Sequence, residues 1–270
     1  MNSKHLAVGV FDSGMGGLTV LRALRAHLPQ ESFIYLGDTA RLPYGTKSPD
    51  TVKQYAMQMA RFLVERRIKA LVVACNTATT AALPHLQKML PDIPVIGVVA
   101  PGAAAAVAAT RNKRIFVLAT ETTIASKAYQ ELIAQLLPQA VINARACSVL
   151  VALAEEGMTD NAVASEALKH YLDGITDEDA VLLGCTHFPV FKPLLTRLLS
   201  PGVVIVDSAH ATAKSLQTLL RQQDLLSDRL VDQAKISYLV TDAVLRFKEV
   251  GAVFLGGDLA LSDIELIDVI

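Results

Sequence analysis

The feature that most constrains the fold is an alternation of short apolar runs with longer amphipathic segments. The apolar runs include LAVGVF, ALVVA, RIFVLA and AVLLG, and segments such as DTVKQYAMQMARFLVERR lie between them. Strands that are apolar almost throughout are typical of parallel sheets that helices cover on both faces. The sequence therefore predicts an α/β protein with mainly parallel sheets flanked by helices.

The chain is predicted to form two similar α/β domains that face each other across a cleft. Asp12 precedes Cys75 by 63 residues, and Thr122 precedes Cys185 by the same 63. Boundaries near VVAPG and VIVDSAH place residues 99–207 in a second domain and residues 1–98 with 208–270 in a first, discontinuous domain. The late runs ISYLV and AVFLGG imply that the carboxyl end crosses back to complete the first domain.

Charge and hydropathy exclude several classes of partner. The 25 basic and 26 acidic residues nearly balance and form no block of one sign, which disfavours nucleic acid. The longest apolar run, IPVIGVVAPGAAAAVAA, is slightly short for a membrane span and is interrupted by Pro-Gly, so it indicates strand, turn and helix. The amino terminus has no export pattern, and we expect a cytoplasmic protein without a membrane partner. We further expect a homodimer.

Two of the three cysteines occupy equivalent places. Cys75 follows the apolar run ALVVA and Cys185 follows AVLLG, where ligands of α/β sheets bind. Each is expected to precede a helix start, where free backbone N–H groups favour a thiolate. Cys147 is interpreted as a small core side chain, because free cysteine is often buried. No CxxC pair is present, so a disulfide framework or zinc ribbon is disfavoured.

Two facing thiols can invert a carbon centre. One thiolate removes a proton from one face of a ligand held between the domains, and the opposite thiol delivers a proton to the other face. Ordinary cysteine is only a few per cent ionised at neutral pH, so each thiol needs help, which Asp12 can give to Cys75 and His187 to Cys185. Expected donors to the substrate carboxylate are Ser13, Gly14, Thr77, Thr123 and Thr186.

Other chemistries remain as alternatives. The glycines of FDSGMGGLTV suggest a dinucleotide site, but Thr19 occupies the position of the third glycine. The short spacing of Cys185 and His187 is weak evidence for zinc. A cysteine hydrolase built from Cys185, His187 and Asp12, which leaves Cys75 without a role, is the second hypothesis, and a binding protein without catalysis is the third. Asp38 is not raised above an ordinary solvated or capping carboxylate.

Six motifs together resemble the cofactor-independent glutamate racemases of the aspartate/glutamate racemase superfamily. They are GVFDSGMGGLTV, YLGDTARLPYG, VVACNTATT, GVVAPGA, LGCTHFP and VDS, in family order over essentially the whole chain. The resemblance implies racemisation of glutamate for peptidoglycan in a cleft between two domains, with no cofactor and no metal. Because the chain begins only a few residues before its first strand, we expect no activation by a cell-wall precursor.

The resemblance also implies roles for individual residues. Cys75 would act on D-glutamate and Cys185 on L-glutamate, with Asp12, His187 and Glu155 as their helpers. The positions that match the family's substrate-binding residues are Ser13, Pro43, Tyr44, Gly45, Asn76, Thr77, Thr123 and Thr186.

Overall fold

The computed structural model describes residues 3–269. Within that range the strands are β1 Ala7–Asp12, β2 Phe33–Gly37, β3 Ile68–Val73, β4 Val95–Gly97, β5 Arg114–Ala119, β6 Val141–Ala146, β7 Ala180–Gly184, β8 Val204–Asp207, β9 Ile236–Val240 and β10 Ile264–Leu266. The α-helices are α1 Leu18–His27, α2 Pro49–Glu65, α3 Asn76–Met89, α4 Val99–Ala109, α5 Glu121–Ala125, α6 Ala128–Leu136, α7 Val149–Glu155, α8 Ala162–Leu172, α9 Lys192–Leu198, α10 Ala209–Gln222 and α11 Val244–Leu255.

The strands form two parallel sheets. The first has the order β10-β9-β2-β1-β3-β4, and the second has the order β6-β5-β7-β8. Every strand pair in both sheets is parallel. The central strands β1, β3, β5 and β7 are almost entirely buried. The predicted α/β class with mainly parallel sheets is therefore confirmed.

The carboxyl-terminal part of the chain returns to the first sheet, as predicted. Strand β9 pairs with β2, and β10 pairs with β9. All strands of the second sheet come from residues 114–207. The proposed domain boundaries at 98/99 and 207/208 stay a prediction, supported by this allocation of strands to separate sheets.

Helices cover both sheets and join the two halves of the molecule, which are the part built on the first sheet and the part built on the second. Helix α10 packs on both α1 and α4, and α4 also packs on β7. The segment read as strand, turn and helix forms β4 and α4, and the proline and glycine lie inside the first turns of α4 rather than in a separate turn. Proline is tolerated there because the first helical N–H groups have no intrahelical partner. No helix within residues 3–269 is long and apolar enough to cross a membrane.

Candidate active site

The two cysteines lie at the carboxyl ends of central strands in the two different sheets. Cys75 stands two residues beyond β3, and Cys185 follows β7 directly. Asp12 is the last residue of β1, which pairs with β3. Both thiols are nearly enclosed, with Cys75 5% and Cys185 8% exposed. The topology thus places one thiol on each half of the molecule at the edge where α/β proteins bind ligands.

Cys75 caps the amino terminus of α3. Its Sγ accepts a hydrogen bond from the Ala78 N–H at 3.4 Å and lies 3.8 Å from the Ser13 hydroxyl oxygen. Burial, and then the charge of Asp12, raises the pKa of the Cys75 thiol to about 12. The N–H groups at the helix start oppose that rise without cancelling it. Cys75 is therefore a neutral thiol at neutral pH in this state.

Cys185 has histidine as its polar neighbour. Its Sγ lies 3.8 Å from His187 Nδ1. Burial raises the pKa of the Cys185 thiol well above its usual range, and the His187 backbone N–H opposes this. The helix start expected after Cys185 is wrong in detail, since a 3-10 turn over Phe188–Phe191 precedes α9. Pro193 has no N–H to donate to the carbonyl of Pro189 four residues before it, so one α-helix cannot run continuously from Phe188, and the Lys192 N–H closes a tighter turn on the Pro189 carbonyl instead.

Glu155 fixes the orientation of the histidine ring. His187 Nε2 lies 3.0 Å from Glu155 Oε1, and both side chains are buried. The ring also packs edge-on against Phe254 at a centroid distance of 5.1 Å. With Nε2 held by the carboxylate, Nδ1 faces the Cys185 sulfur. The cysteine-hydrolase alternative combined Cys185 and His187 with Asp12 as the carboxylate. That assignment is wrong, because the carboxylate that bonds the His187 imidazole is Glu155.

Asp12 lies between the two cysteine loops. It is fully buried, and its Oδ2 accepts from the Gly14 N–H at 3.0 Å. Thr186, next to Cys185, directs its hydroxyl at Asp12 Oδ1 at 3.4 Å. Burial raises the pKa of the Asp12 carboxyl, while His187 and the backbone donors oppose the rise. This carboxyl can consequently exchange a proton more readily than an ordinary surface aspartate.

A cluster of threonine hydroxyls spans the two halves. Thr77 Oγ1 lies 2.9 Å from Thr120 Oγ1 and 3.1 Å from Thr123 Oγ1, and those two are 3.0 Å apart. Thr77 belongs to α3, whereas Thr120 and Thr123 follow β5. Sequence reasoning found Thr77 and Thr123 but missed Thr120. Its position directly after an apolar strand was the available signal.

Of the three residues in the segment Pro43–Gly45, Tyr44 and Gly45 are buried and hydrogen-bonded, whereas Pro43 is exposed. Tyr44 is buried and donates its hydroxyl to the carboxylate of Asp38, and the Gly45 carbonyl accepts from Thr122 Oγ1 at 3.0 Å. Pro43 is exposed, and the bond that precedes it is cis. Asp38 also receives the Arg41 guanidinium, so it anchors this segment. Asp38 is a supporting residue that sequence reasoning left among ordinary carboxylates.

Asn76 receives a partner that the sequence did not indicate. Tyr129, on α6, donates its hydroxyl to Asn76 Oδ1 at 2.6 Å. Nothing in the local pattern distinguishes Tyr129 from a core aromatic residue of an amphipathic helix. Across the described part of the chain, no three His, Cys, Asp or Glu side chains are grouped so that they could hold a metal ion.

Comparison with known proteins identifies the family. The family model for Asp/Glu/hydantoin racemase matches residues 18–216. Glutamate racemases from Geobacter metallireducens and Syntrophus aciditrophicus are 49% and 43% identical, each over at least 94% of both chains. The chain belongs to the glutamate racemases of this family. It is thus an isomerase of the amino-acid racemase class.

A solved glutamate racemase shares its whole architecture. The Francisella tularensis glutamate racemase, solved in complex with D-glutamate, is similar with a TM-score of 0.91 and 34% identity over 98% of both chains. The match covers both sheets, so the predicted resemblance holds for the entire glutamate racemase fold and not for one domain alone.

Proposed function

We propose that this glutamate racemase interconverts L-glutamate and D-glutamate by proton transfer between the substrate α-carbon and two thiols, Cys75 and Cys185. The observation that supports this most directly is the placement of the thiols on opposite halves, each beside its own acid-base partner. The D-glutamate held by the Francisella tularensis relative supports the substrate. No cofactor is needed in this scheme.

The two directions of the reaction use the thiols in opposite roles. From L-glutamate, the Cys185 thiolate takes the α-proton and the Cys75 thiol gives its proton to the opposite face, which leaves D-glutamate, a Cys185 thiol and a Cys75 thiolate. From D-glutamate, the same steps run in reverse. Because each thiol serves one face, the substrate does not need to turn over between the two transfers.

Each thiol must lose its proton before it can act as a base. Burial disfavours the thiolate at both positions, so a proton acceptor close to each sulfur lowers the cost of ionisation. His187, held by Glu155, serves Cys185 in this proposal. Asp12 serves Cys75, and its own raised pKa makes it a better proton acceptor than an ordinary aspartate.

The carbanion-like transition state requires donors directed at the substrate carboxylates. We assign this role to the polar side chains and backbone groups around the thiols. They are Ser13, Asn76, Thr77, Thr123 and Thr186, with the backbone of Tyr44 and Gly45 and with Thr120 added from the threonine cluster. The Gly14 N–H and the Tyr44 hydroxyl instead donate to Asp12 and Asp38. Pro43 contributes through the backbone at most, because its ring is exposed.

One set of cysteine variants tests the proposal. Cys75→Ala and Cys185→Ala should each lower kcat for glutamate racemisation by at least about a thousandfold, since a required base is lost. Cys147→Ala is the matched control, because Cys147 is equally buried but its thiol bonds only the Ala119 carbonyl. It should keep kcat within about threefold. A polarimetric or chiral-chromatography assay measures all three.

The same variants test the role in the cell. We propose that the D-glutamate formed enters peptidoglycan. A bacterium that requires added D-glutamate should grow without it when it expresses this chain or Cys147→Ala, but not when it expresses Cys75→Ala or Cys185→Ala. Growth with either active-site variant, or near wild-type racemisation by it in vitro, would overturn the two-thiol assignment. Release of ammonia from glutamine instead of racemisation would favour the hydrolase alternative.

A further inference from the structure

Tyr129 reaches from one half of the molecule to the cysteine loop of the other. It lies on α6, has no exposed surface, and its ring fits between two glycines. A Cβ added at Gly184 would lie 2.8 Å from the ring, and one added at Gly102 would lie 3.1 Å from the hydroxyl oxygen. Because neither glycine has a side chain, the ring can lie against the backbone immediately before Cys185.

The hydroxyl of Tyr129 determines which end of the Asn76 amide faces the cleft. It donates to Asn76 Oδ1 at 2.6 Å. Within residues 3–269, Asn76 Nδ2 has no hydrogen-bond partner, so both of its N–H groups are left for a ligand. A reversed amide would point its carbonyl oxygen at that ligand instead. For a substrate that carries a carboxylate, the N–H groups of Asn76 would donate hydrogen bonds to it, whereas the reversed amide would place its oxygen against the carboxylate and repel it.

We propose that Tyr129 is a positioning residue for substrate binding, which holds the Asn76 amide with its N–H groups towards a glutamate carboxylate. The inference rests on the proposed function. It means that Tyr129, a residue of the half built on the second sheet, supports the part of the substrate site that lies on the half built on the first sheet. Burial raises the pKa of the Tyr129 hydroxyl, which keeps it a donor throughout the pH range of the assay. Because the ring also lies against Gly184, Tyr129 connects the first residue of α3, next to Cys75, with the end of β7, which Cys185 follows.

The variant Tyr129→Phe tests this without disturbing the ring. Loss of the single donor should raise the KM for L-glutamate and for D-glutamate about fivefold, the effect of one ordinary hydrogen bond. The value of kcat should change less than about twofold, because neither thiol nor its proton acceptor is altered. Tyr238→Phe is the matched control, since Tyr238 is a buried tyrosine of strand β9 outside the site. Its KM should be that of the wild type.

A double-mutant cycle separates positioning from general packing. In the Asn76→Ala background, Tyr129→Phe should change KM by less than about twofold, because the group through which it acts is gone. If Tyr129→Phe raises KM by the same factor with and without Asn76, or leaves the KM of the wild-type background unchanged, the proposal fails.

A second variant covers the case in which Tyr129→Phe does not fold. Gly102→Ala keeps the hydroxyl group but crowds it, because the new Cβ would lie 3.1 Å from the hydroxyl oxygen. A shift of the ring by a few tenths of an ångström should weaken its bond to Asn76 and raise KM by about twofold. An unchanged KM in a folded Gly102→Ala protein would count against the inference. The wild-type protein must racemise glutamate in the same assay; if it does not, the proposed function fails, whereas a wild-type KM in the variants overturns only the role of Tyr129.

Discussion

Burial governs the acid-base chemistry of the individual site residues. Cys75, Cys185 and Asp12 all have raised pKa values because water is excluded from them. For the thiols, a raised pKa means that the folded protein favours the neutral form more than the unfolded chain does. This preference contributes to stability below the ordinary cysteine pKa and is lost as the pH rises towards the folded value.

The Cys75 pKa of about 12 gives a prediction for alkaline stability. Between about pH 9 and pH 10.5 the wild type should lose free energy of unfolding faster than Cys75→Ser, by about 1.4 kcal/mol per pH unit for one group. Serine does not ionise in this range. Urea unfolding at a series of pH values measures the difference. Parallel pH profiles for the two proteins would show that Cys75 is not held as a neutral thiol.

Asp12 should favour activity at the expense of stability. Its pKa is raised by burial, so ionisation of this carboxyl costs stability in the folded protein, and the neutral Asp12→Asn should shift the urea unfolding midpoint to higher urea at neutral pH. Its kcat should fall by about a hundredfold or more, because asparagine cannot accept a proton. Destabilisation by Asp12→Asn would contradict this account.

Asp179 provides the control of opposite sign. Desolvation raises its pKa, but hydrogen bonds from Thr110 and from two backbone N–H groups outweigh that and leave the pKa lowered. Its carboxylate therefore stabilises the fold above the ordinary aspartate pKa, and this contribution is lost as the pH falls through the folded value. Asp179→Asn should lower the free energy of unfolding and leave kcat unchanged.

The sequence indicated the residues proposed to transfer protons better than it indicated the residues that hold them in place. Cys75, Cys185, Asp12 and His187 could be named because each follows an apolar run at a predicted strand end. The roles given to them remain predictions. Glu155 came only from the family resemblance, because its contact with His187 joins residues that are 32 apart in the chain. Tyr129 was missed for the same reason, since long-range contacts leave no local pattern, whereas Thr120 directly follows the apolar strand β5 and could have been found from that position.

At the scale of elements, the glycine loop between β1 and α1 meets the Cys185 loop at close range. A Cβ at Gly16 would lie 2.6 Å from Thr186 Oγ1 and closer still to His187 Nδ1. At Gly14 the nearest atom would be a Leu42 side-chain carbon at 3.6 Å, which is ordinary contact. The loop therefore needs glycine at position 16 so that the two halves can close on each other.

We predict that Gly16→Ala disables the enzyme far more than Gly14→Ala. The new methyl group at position 16 must displace His187 from Cys185, and kcat/KM should fall by about a hundredfold or more. The Gly14→Ala change should cost about threefold or less. Steady-state kinetics of the two variants give the comparison, with circular dichroism to verify folding. Equal losses would mean that the loop acts through general flexibility and not through the His187 contact.

The element pattern was predictable where one physical signal dominated. Continuous apolar runs identified most of the buried strands, and the late run ISYLV forms β9, which returns the chain to the first sheet. The other late run, AVFLGG, was wrongly expected to form a strand: its apolar residues belong to helix α11, and β10 comes from Ile264–Leu266. The conformation after Cys185 was not predicted correctly. Pro189 and Pro193 are four residues apart, so the hydrogen bond that would join them in a continuous α-helix is missing, and the segment divides into a 3-10 turn and α9.

At the scale of the whole molecule, contacts between the halves enclose the site. Thr122 Oγ1 bonds the carbonyls of Gly45 and Lys47 at 3.0 and 2.9 Å, and Thr19 Oγ1 bonds the Thr186 carbonyl at 3.0 Å. These contacts join the two halves around the buried thiols. The homodimer expected from sequence stays a prediction, which a mass of about twice 28.9 kDa in sedimentation equilibrium would support.

The most direct test of two-thiol racemisation is the fate of the α-hydrogen in deuterated water. In the first per cent of turnover from L-glutamate, mass spectrometry and chiral separation should find D-glutamate with deuterium at the α-carbon, while the remaining L-glutamate keeps its protium. The reverse reaction should give the mirror result. Early D-glutamate that retains protium, or L-glutamate that gains deuterium as fast as product forms, would contradict a separate base on each face.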